Sequence, residues 1–303
     1  MEVREKVIIT GGLSFIVSHV TQYLVKKGYD VYVIDNHSEG SHPEIIDGSF
    51  GSFKMDVHGS EAVDLMISLN PDYIIHAAAY SDVDKSIKQP YDILKANCQA
   101  NLNVFEAARQ LKDLKKLVYI STDEVYGECG HRKREDEILF PKNPYSMSKA
   151  HGSLLRLAYD NTYPHLKNKT AETRFCNVVG ERQDDRKVLP HIRDCLKNDK
   201  PMKVHNGGEG YREYIWVENI PPAVELVMLK GDRTYNVTNN EGYTVNELIS
   251  ICEETACKEI QKVPADRPGM DEMYQMDATR IKELGWEPVT YFGEGLVKYL
   301  KND

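Results

Sequence analysis

The strongest constraint on the fold is a rhythm. From Lys6 to Gly180, short runs rich in Val, Ile and Tyr alternate with longer segments of helical periodicity. KVIITGG begins as a buried strand; VSHVTQYLVKKGYD then shows one apolar stripe and stops at Gly28, a residue suited to the left-handed turn that ends helices. VYVIDN is a second strand and SFKMDV a short third one. GSEAVDLMISLNP is a helix ended by Pro71, and DYIIHAAA a fourth strand. YDILKANCQANLNVFEAARQLK is a long helix, KKLVYIST a fifth strand, NPYSMSKAHGSLLRLAYDNTY another long helix and AETRFCNVVG a sixth strand. Strands joined by helices at this spacing predict an α/β fold, a doubly wound parallel sheet of the Rossmann type.

After Gly180 the rhythm breaks. Residues 181–303 hold shorter elements with more Pro, Gly and charge. The expectation is a first domain over 1–180 and a smaller mixed substrate domain over 181–303, with segments such as YREYIWVENI returning to the first. A chain of 303 residues, 41% hydrophobic, is long enough for one large core or two modest ones. The formal net charge of −9 argues against nucleic acid as the main partner, because neutralising phosphates takes clustered Lys and Arg. A local basic pocket for a phosphorylated small molecule is compatible with it. The six cysteines form no C-x-x-C pair and no Cys/His metal spacing, so reduced thiols, no metal site and a cytoplasmic location are expected. MEVREKVIIT has no apolar signal-peptide core, and no apolar run approaches the ~20 residues of a membrane span.

Ligands of such sheets bind at the carboxyl ends of the strands. The turn after the first strand, TGGLSFIVSHV, offers backbone amides and a helix N-terminus to a pyrophosphate. Against the pattern T-G-x-x-G-x-x-G, Gly11 keeps the first glycine, which the tight turn needs, whereas Ser14 and Val17 take the second and third places. Ser14 is the smallest polar substitute, with a hydroxyl able to donate to phosphate. Val17 pushes the helix outward or requires a small neighbour opposite. Asp35 ends the second strand, where a carboxylate accepts from both ribose hydroxyls and repels a 2′-phosphate, favouring NAD over NADP. Asp56 ends the third strand, placed to meet the adenine amino group. Ala77, Ala78 and Ala79 end the fourth with small side chains that leave room for a cofactor.

Tyr145 and Lys149 in NPYSMSKA are spaced i, i+4, on one face of a helix. An ammonium there lowers the pKa of the phenol and holds a ribose hydroxyl, giving a base for an alcohol that surrenders hydride. In ISTDEVYGE, Asp123 and Glu124 stand beside Thr122 at the end of the fifth strand. A simple alcohol dehydrogenase or an epimerase has no use for two carboxylates there. Removing water across C5–C6 of a hexose does: one group takes the C5 proton and the other protonates the departing C6 hydroxyl. The same residue types also serve as ordinary helix caps.

These motifs resemble the extended short-chain dehydrogenase/reductase family, and within it the nucleotide-sugar 4,6-dehydratases of the dTDP-glucose 4,6-dehydratase type. The likeness covers nearly the whole chain. ISTDEVYGE matches the family signature almost letter for letter, and PYSMSKA follows at the family's distance. RFCNVVGERQDDRKVLP, GGEGYREYIWVENI and DRPGMDEMYQMDATRIKELGW resemble three later family segments. The resemblance implies Tyr145 as base at O4, Lys149 as its partner, Thr122 as donor to O4, Asp123 as acid for the C6 hydroxyl and Glu124 as base at C5. It implies NAD as a cofactor that is reduced and reoxidised within one turnover, held by Gly11, Ser14, Phe15, Ile16, Asp35, Asn36, Asp56, Val57, Ala77, Ala78, Ala79, Asn97, Tyr145 and Lys149. Ser81, Asp82, Asn177, Lys187, Arg212 and Arg267 would contact the nucleotide-diphosphate sugar.

Departures cluster where base and sugar are read. Tyr80 and Asp82 replace a family Glu and His beside the sugar, and Met270 replaces a His near the nucleotide. UDP-glucose and UDP-N-acetylglucosamine therefore stand beside dTDP-glucose as expected substrates, and epimerisation at C5 is compatible with the acidity that a C4 ketone lends that carbon. Two other readings use the same scaffold: a UDP-sugar 4-epimerase, and an inactive binding protein suggested by Ser14 and Val17. The apolar faces of the two long helices, with the resemblance, imply a homodimer.

Overall fold

The computed structural model describes residues 4–266 and 273–301. In chain order the strands are β1 (Lys6–Thr10), β2 (Asp30–Asp35), β3 (Gly51–Lys54), β4 (Tyr73–His76), β5 (Lys116–Thr122), β6 (Thr170–Phe175), β7 (Asn177–Val179), β8 (Met202–His205), β9 (Tyr211–Trp216), β10 (Thr234–Val237), β11 (Gly242–Thr244), β12 (Lys262–Ala265) and β13 (Met273–Tyr274). The helices are α1 (Phe15–Lys27), α2 (Ser60–Leu69), α3 (Val83–Lys88), α4 (Pro90–Gln110), α5 (Pro144–Thr162), α6 (Val188–Asn198), α7 (Ile220–Lys230), α8 (Val245–Ala256), α9 (Thr279–Glu283) and α10 (Phe292–Lys301).

Among the described residues seven strands form one parallel sheet in the order β10-β6-β5-β4-β1-β2-β3. Its central strands β1, β4 and β5 carry apolar side chains on both faces, as a sheet covered on two sides requires. Val7 and Ile9 point into the core shared with α1 and α7, and Ile8 into the core shared with α2 and α4. Gly152 lets α5 ride close over β5, because a Cβ there would lie 2.3 Å from Tyr119 Cζ. Helix α1 ends at Gly28, left-handed at φ 93°, in agreement with the sequence. Helix α2 stops one residue before Pro71, at Asn70 in the left-handed region.

AETRFCNVVG is not one strand. It breaks at Cys176: β6 stays in the large sheet, and β7 leaves to pair with β9. Strand β9 organises a second, smaller sheet with β11 and β13, beside a β8–β12 pair, under α6, α8 and α10. YREYIWVENI thus begins in the smaller sheet. The chain then returns: α7 packs on the large sheet, and β10 becomes its edge strand beside β6. No helix among the described residues is long and apolar enough to cross a membrane.

Candidate active site

The carboxyl ends of β1, β2, β4 and β5 open into a cleft of about 1890 Å³. That exceeds the roughly 300–1,000 Å³ of a pocket for one small ligand, so it has room for two. Every site residue named from the sequence lines it, Arg267 excepted, which with Met270 lies outside the described residues.

At one end lies the turn after β1. Gly11 sits at φ 69°, and a Cβ there would stand 2.8 Å from Ala78 Cα, so the turn meets the end of β4 backbone to backbone. Ser14 is the N-cap of α1 but its side chain makes no cap bond, and the first turn carries no acidic residue. The helix N-terminus is therefore left for an anion. The Ser14 hydroxyl departs from the expectation that it reaches toward phosphate: it donates to the Gly11 carbonyl at 2.8 Å and stiffens the turn. Val17 is buried in the core on α1.

Asp35 is buried, and its oxygens already accept from the Leu13 amide (3.1 Å), the His37 amide (2.9 Å) and the Ser41 hydroxyl (2.9 Å). A carboxylate has about four acceptor positions, so Asp35 keeps room for one ribose hydroxyl where two were expected. Asn36 donates to Asp56 at 2.6 Å and to the Tyr80 phenol at 3.3 Å. Tyr80 thus leans toward the end of the cleft where β2 and β3 finish. Asn97 spends its amide on the Tyr80 backbone (2.8 and 3.1 Å) and on Ser148 Oγ (2.9 Å), tying the loop after β4 to α5. Asp82 caps α3 by accepting from the Lys85 amide.

At the centre, Thr122 ends β5 and Asp123–Tyr126 form a single 3-10 turn. The Thr122 hydroxyl donates to Asp123 at 3.1 Å and accepts from the Glu124 amide at 3.3 Å. Burial, then the neighbouring charge of Glu124, pushes Asp123 up to about 7. Glu124 accepts from Asn143 at 3.1 Å. Asn143 was not singled out from the sequence, although its place before Pro144 marks it: it caps α5 in a reciprocal capping box with Ser146. Tyr145 and Lys149 follow on α5, both buried. Lys149 donates to the Ile120 carbonyl at 2.9 Å and lies over the Tyr119 ring, and burial, opposed by Glu172, brings it down to about 8.

The Tyr145 phenol is not held low, as the Tyr/Lys spacing suggested. Burial, then the charges of Glu124 and Asp123, pushes it well above the usual tyrosine range. The lysine ammonium gives one of its hydrogens to the β5 backbone, while two carboxylates face the phenol. The Ser121 hydroxyl, also missed, lines the cleft buried and without a hydrogen-bond partner.

At the far end, Lys187 is the N-cap of α6, Arg212 stacks on Tyr274 (4.6 Å to the ring centre), and Asn177 donates to the Glu213 carbonyl. Arg212, held against Tyr274, and Lys187 at a helix N-terminus suit a diphosphate. Among the described residues no His, Cys, Asp and Glu side chains group as a metal site.

A family model described as the NAD dependent epimerase/dehydratase family matches residues 7–238. The chain is 32% identical, over 97% of its length, to the trifunctional UDP-glucose 4,6-dehydratase/UDP-4-keto-6-deoxy-D-glucose 3,5-epimerase/UDP-4-keto-L-rhamnose-reductase of Arabidopsis thaliana, and spans about half (46%) of that relative. Among solved structures it is similar to the UDP-glucose 4-epimerase of Thermus thermophilus in complex with NAD (TM-score 0.90, 30% identity, 97% of each chain). It is also similar to the dTDP-glucose 4,6-dehydratase of Streptomyces venezuelae with NAD bound (TM-score 0.88, 27% identity, 98% of this chain and 96% of that one).

Proposed function

The chain belongs to the NAD dependent epimerase/dehydratase family, and we propose that within it the protein is a nucleotide-diphosphate-sugar 4,6-dehydratase that works with NAD. One observation carries the choice: the turn after β5 sets two carboxylates side by side, one of them, Asp123, buried and holding its proton near neutrality. Epimerisation at C4 has no use for that pair. Elimination of water needs an acid and a base at adjacent carbons.

The cleft fits NAD by its close turn at Gly11, the open N-terminus of α1 and the small side chains at Ala77–Ala79. NAD bound there would supply a hydride acceptor for C4 of the sugar and the hydride that C6 then needs. The chain's own residues handle the protons. Tyr145 takes the proton of the C4 hydroxyl, with the Thr122 hydroxyl turning from Asp123 to donate to O4 and Lys149 orienting the cofactor ribose. Glu124, steadied by Asn143, takes the C5 proton made acidic by the C4 ketone, and gives a proton back to C5 when C6 is reduced. Asp123 gives its proton to the leaving C6 hydroxyl, and water departs. Lys187, Asn177 and Arg212 hold the diphosphate.

The candidate substrates are UDP-glucose, UDP-N-acetylglucosamine and dTDP-glucose. The Arabidopsis relative, named for UDP-glucose, favours the first. Incubating the protein with NAD and each sugar, and weighing the products, is expected to show loss of one water from one of them. Unchanged mass with inverted C4 in the sugar NMR spectrum would make the protein an epimerase, and no change of either kind an inactive binder.

We also propose that the protein is a dimer through α4 and α5. Tyr91 and Leu102 on α4, and Met147, Leu154 and Leu157 on α5, are exposed, and α5 borders an apolar groove of about 420 Å³. Light scattering is expected to give twice the chain mass, and Leu154→Glu to give the single chain mass. A monomer at micromolar concentration would refute it.

A further inference from the structure

The turn that should hold the pyrophosphate lacks two of the three glycines such turns use, yet it is braced from outside. Two segments far apart in sequence meet across it. One is the loop after β2, residues 36–42. It lies along the turn through a bridge between Ser41 and Ser14 and a hydrogen bond of 2.7 Å from the His42 amide to the Leu13 carbonyl. The other is the segment 181–186, between β7 and α6. Both line the cleft.

Arg182 fastens the second segment. Its guanidinium donates to Ser18 Oγ at 2.7 Å and to Gln22 Oε1 at 2.6 Å, both on α1. Its carbonyl meets His42 Nε2 at 3.1 Å, and the Glu181 carbonyl meets His19 Nε2 at 3.1 Å. Farther out, Arg186 reaches Glu39 at 3.3 Å. Helix α1, the loop after β2 and the 181–186 segment are thus joined around the phosphate turn.

The backbone shows that the arrangement is enforced. Arg182 lies at φ 68° and His37 at φ 57°, in the left-handed region that non-glycine residues rarely occupy. Such residues persist where surrounding contacts over-determine them, and they cluster at ligand clamps.

We propose that this clasp retains the dinucleotide, with Arg182 as its principal fastening. The proposal rests on the NAD reading above. A cofactor reduced and reoxidised within one turnover gains nothing from exchange with solvent, and its escape in the reduced form strands the enzyme. With Ser14 and Val17 in place of glycines, the phosphate turn carries side chains at two places where the pattern has none. The clasp supplies retention by a different route, a barrier to opening rather than added contacts to the ligand. The three elements must separate before the pyrophosphate can leave.

The test is the rate at which labelled NAD leaves the loaded protein when diluted into unlabelled NAD. Arg182→Met keeps the aliphatic stem and removes both donors. The pair Ser18→Ala with Gln22→Leu removes the two acceptors and leaves Arg182 in place, so it decides the matter if Arg182→Met does not fold. Each is expected to speed release by about tenfold or more, since each removes two bonds made by a charged donor. Glu39→Gln breaks only an exposed ion pair and is expected to change release by less than about twofold. Release within twofold of the unaltered protein in both the Arg182 variant and the helix pair would overturn the clasp and leave the NAD reading standing. An unaltered protein that takes up no labelled NAD would overturn both.

Discussion

Asp123→Asn is expected to stop the loss of water, lowering kcat by about 10²–10⁴-fold, the range over which a positioned general acid contributes. The first half-reaction should survive, because the residues at C4 are untouched. Absorbance of reduced nicotinamide should therefore build up during the first turnover and persist. The same substitution is expected to stabilise the fold at neutral pH. Burial raises Asp123 to about 7, above the ~3.9 of an unfolded aspartate. Between these values the folded state holds a proton that the unfolded state has lost, so stability falls as pH rises through that window, and above it the buried charge is carried at full cost. An asparagine carries no such charge, and the variant's Tm should exceed the parent's at pH 8 and match it near pH 4. Activity in the parent has the matching limb: a protonated Asp123 is required, so kcat/KM falls as pH rises past about 7. A variant that retains turnover would remove the dehydratase reading and favour an epimerase.

Tyr145→Phe should fail one step earlier. It is expected to cost about 10³-fold or more in kcat, within the upper range of general-base catalysis, and no reduced nicotinamide should appear at any stage. The contrast between the two variants separates proton removal at O4 from elimination at C5–C6. The phenol's environment makes this residue dependent on its surroundings. Burial and the charges of Glu124 and Asp123 hold it protonated, and the Lys149 ammonium is bonded to the Ile120 carbonyl. A cationic ligand group beside the phenol would lower it, so base strength at Tyr145 is expected only in the loaded enzyme. A pH titration of the unliganded protein followed at the tyrosinate band should show no early phenol. A tyrosinate appearing near neutral pH without cofactor would contradict this account.

The parts of this architecture that were legible in the sequence are those written locally. Strands β1, β2, β4 and β5 are continuous apolar runs flanked by glycine, asparagine or helix starts, and the Thr122, Asp123, Glu124, Tyr145 and Lys149 set follows from two short motifs placed on a strand end and a helix. What escaped was long-range. Cys176 gives no local signal that β7 turns away to a different sheet. The TYNV of β10 is short and half polar, and nothing in it names β6 as its partner. The occupied oxygens of Asp35, the lean of Tyr80 toward Asn36 and the joining of Arg182 to Ser18 and Gln22 are contacts between segments up to 164 positions apart, set by packing rather than pattern. The direction of the Tyr145 shift was misread for the same reason: the i, i+4 spacing located the ammonium on the right face but did not show which oxygen it would choose.

The position of β10 bears on how the chain is made. Its partner β6 is buried along its whole length, yet β10 is translated some sixty residues later, after β7, α6, β8 and β9 have emerged. A nascent chain that has left the ribosome through α5 and β6 presents the edge of TAETRF with open amides and carbonyls and with Glu172 and Arg174 not yet covered, the kind of surface that recruits other strands. Non-local pairing of this sort also slows folding, since a long loop must close before any contact rewards it. Synthesis thus includes an interval of exposure that ends only when residues 234–237 dock, and truncation before that strand leaves an edge ready for misassembly.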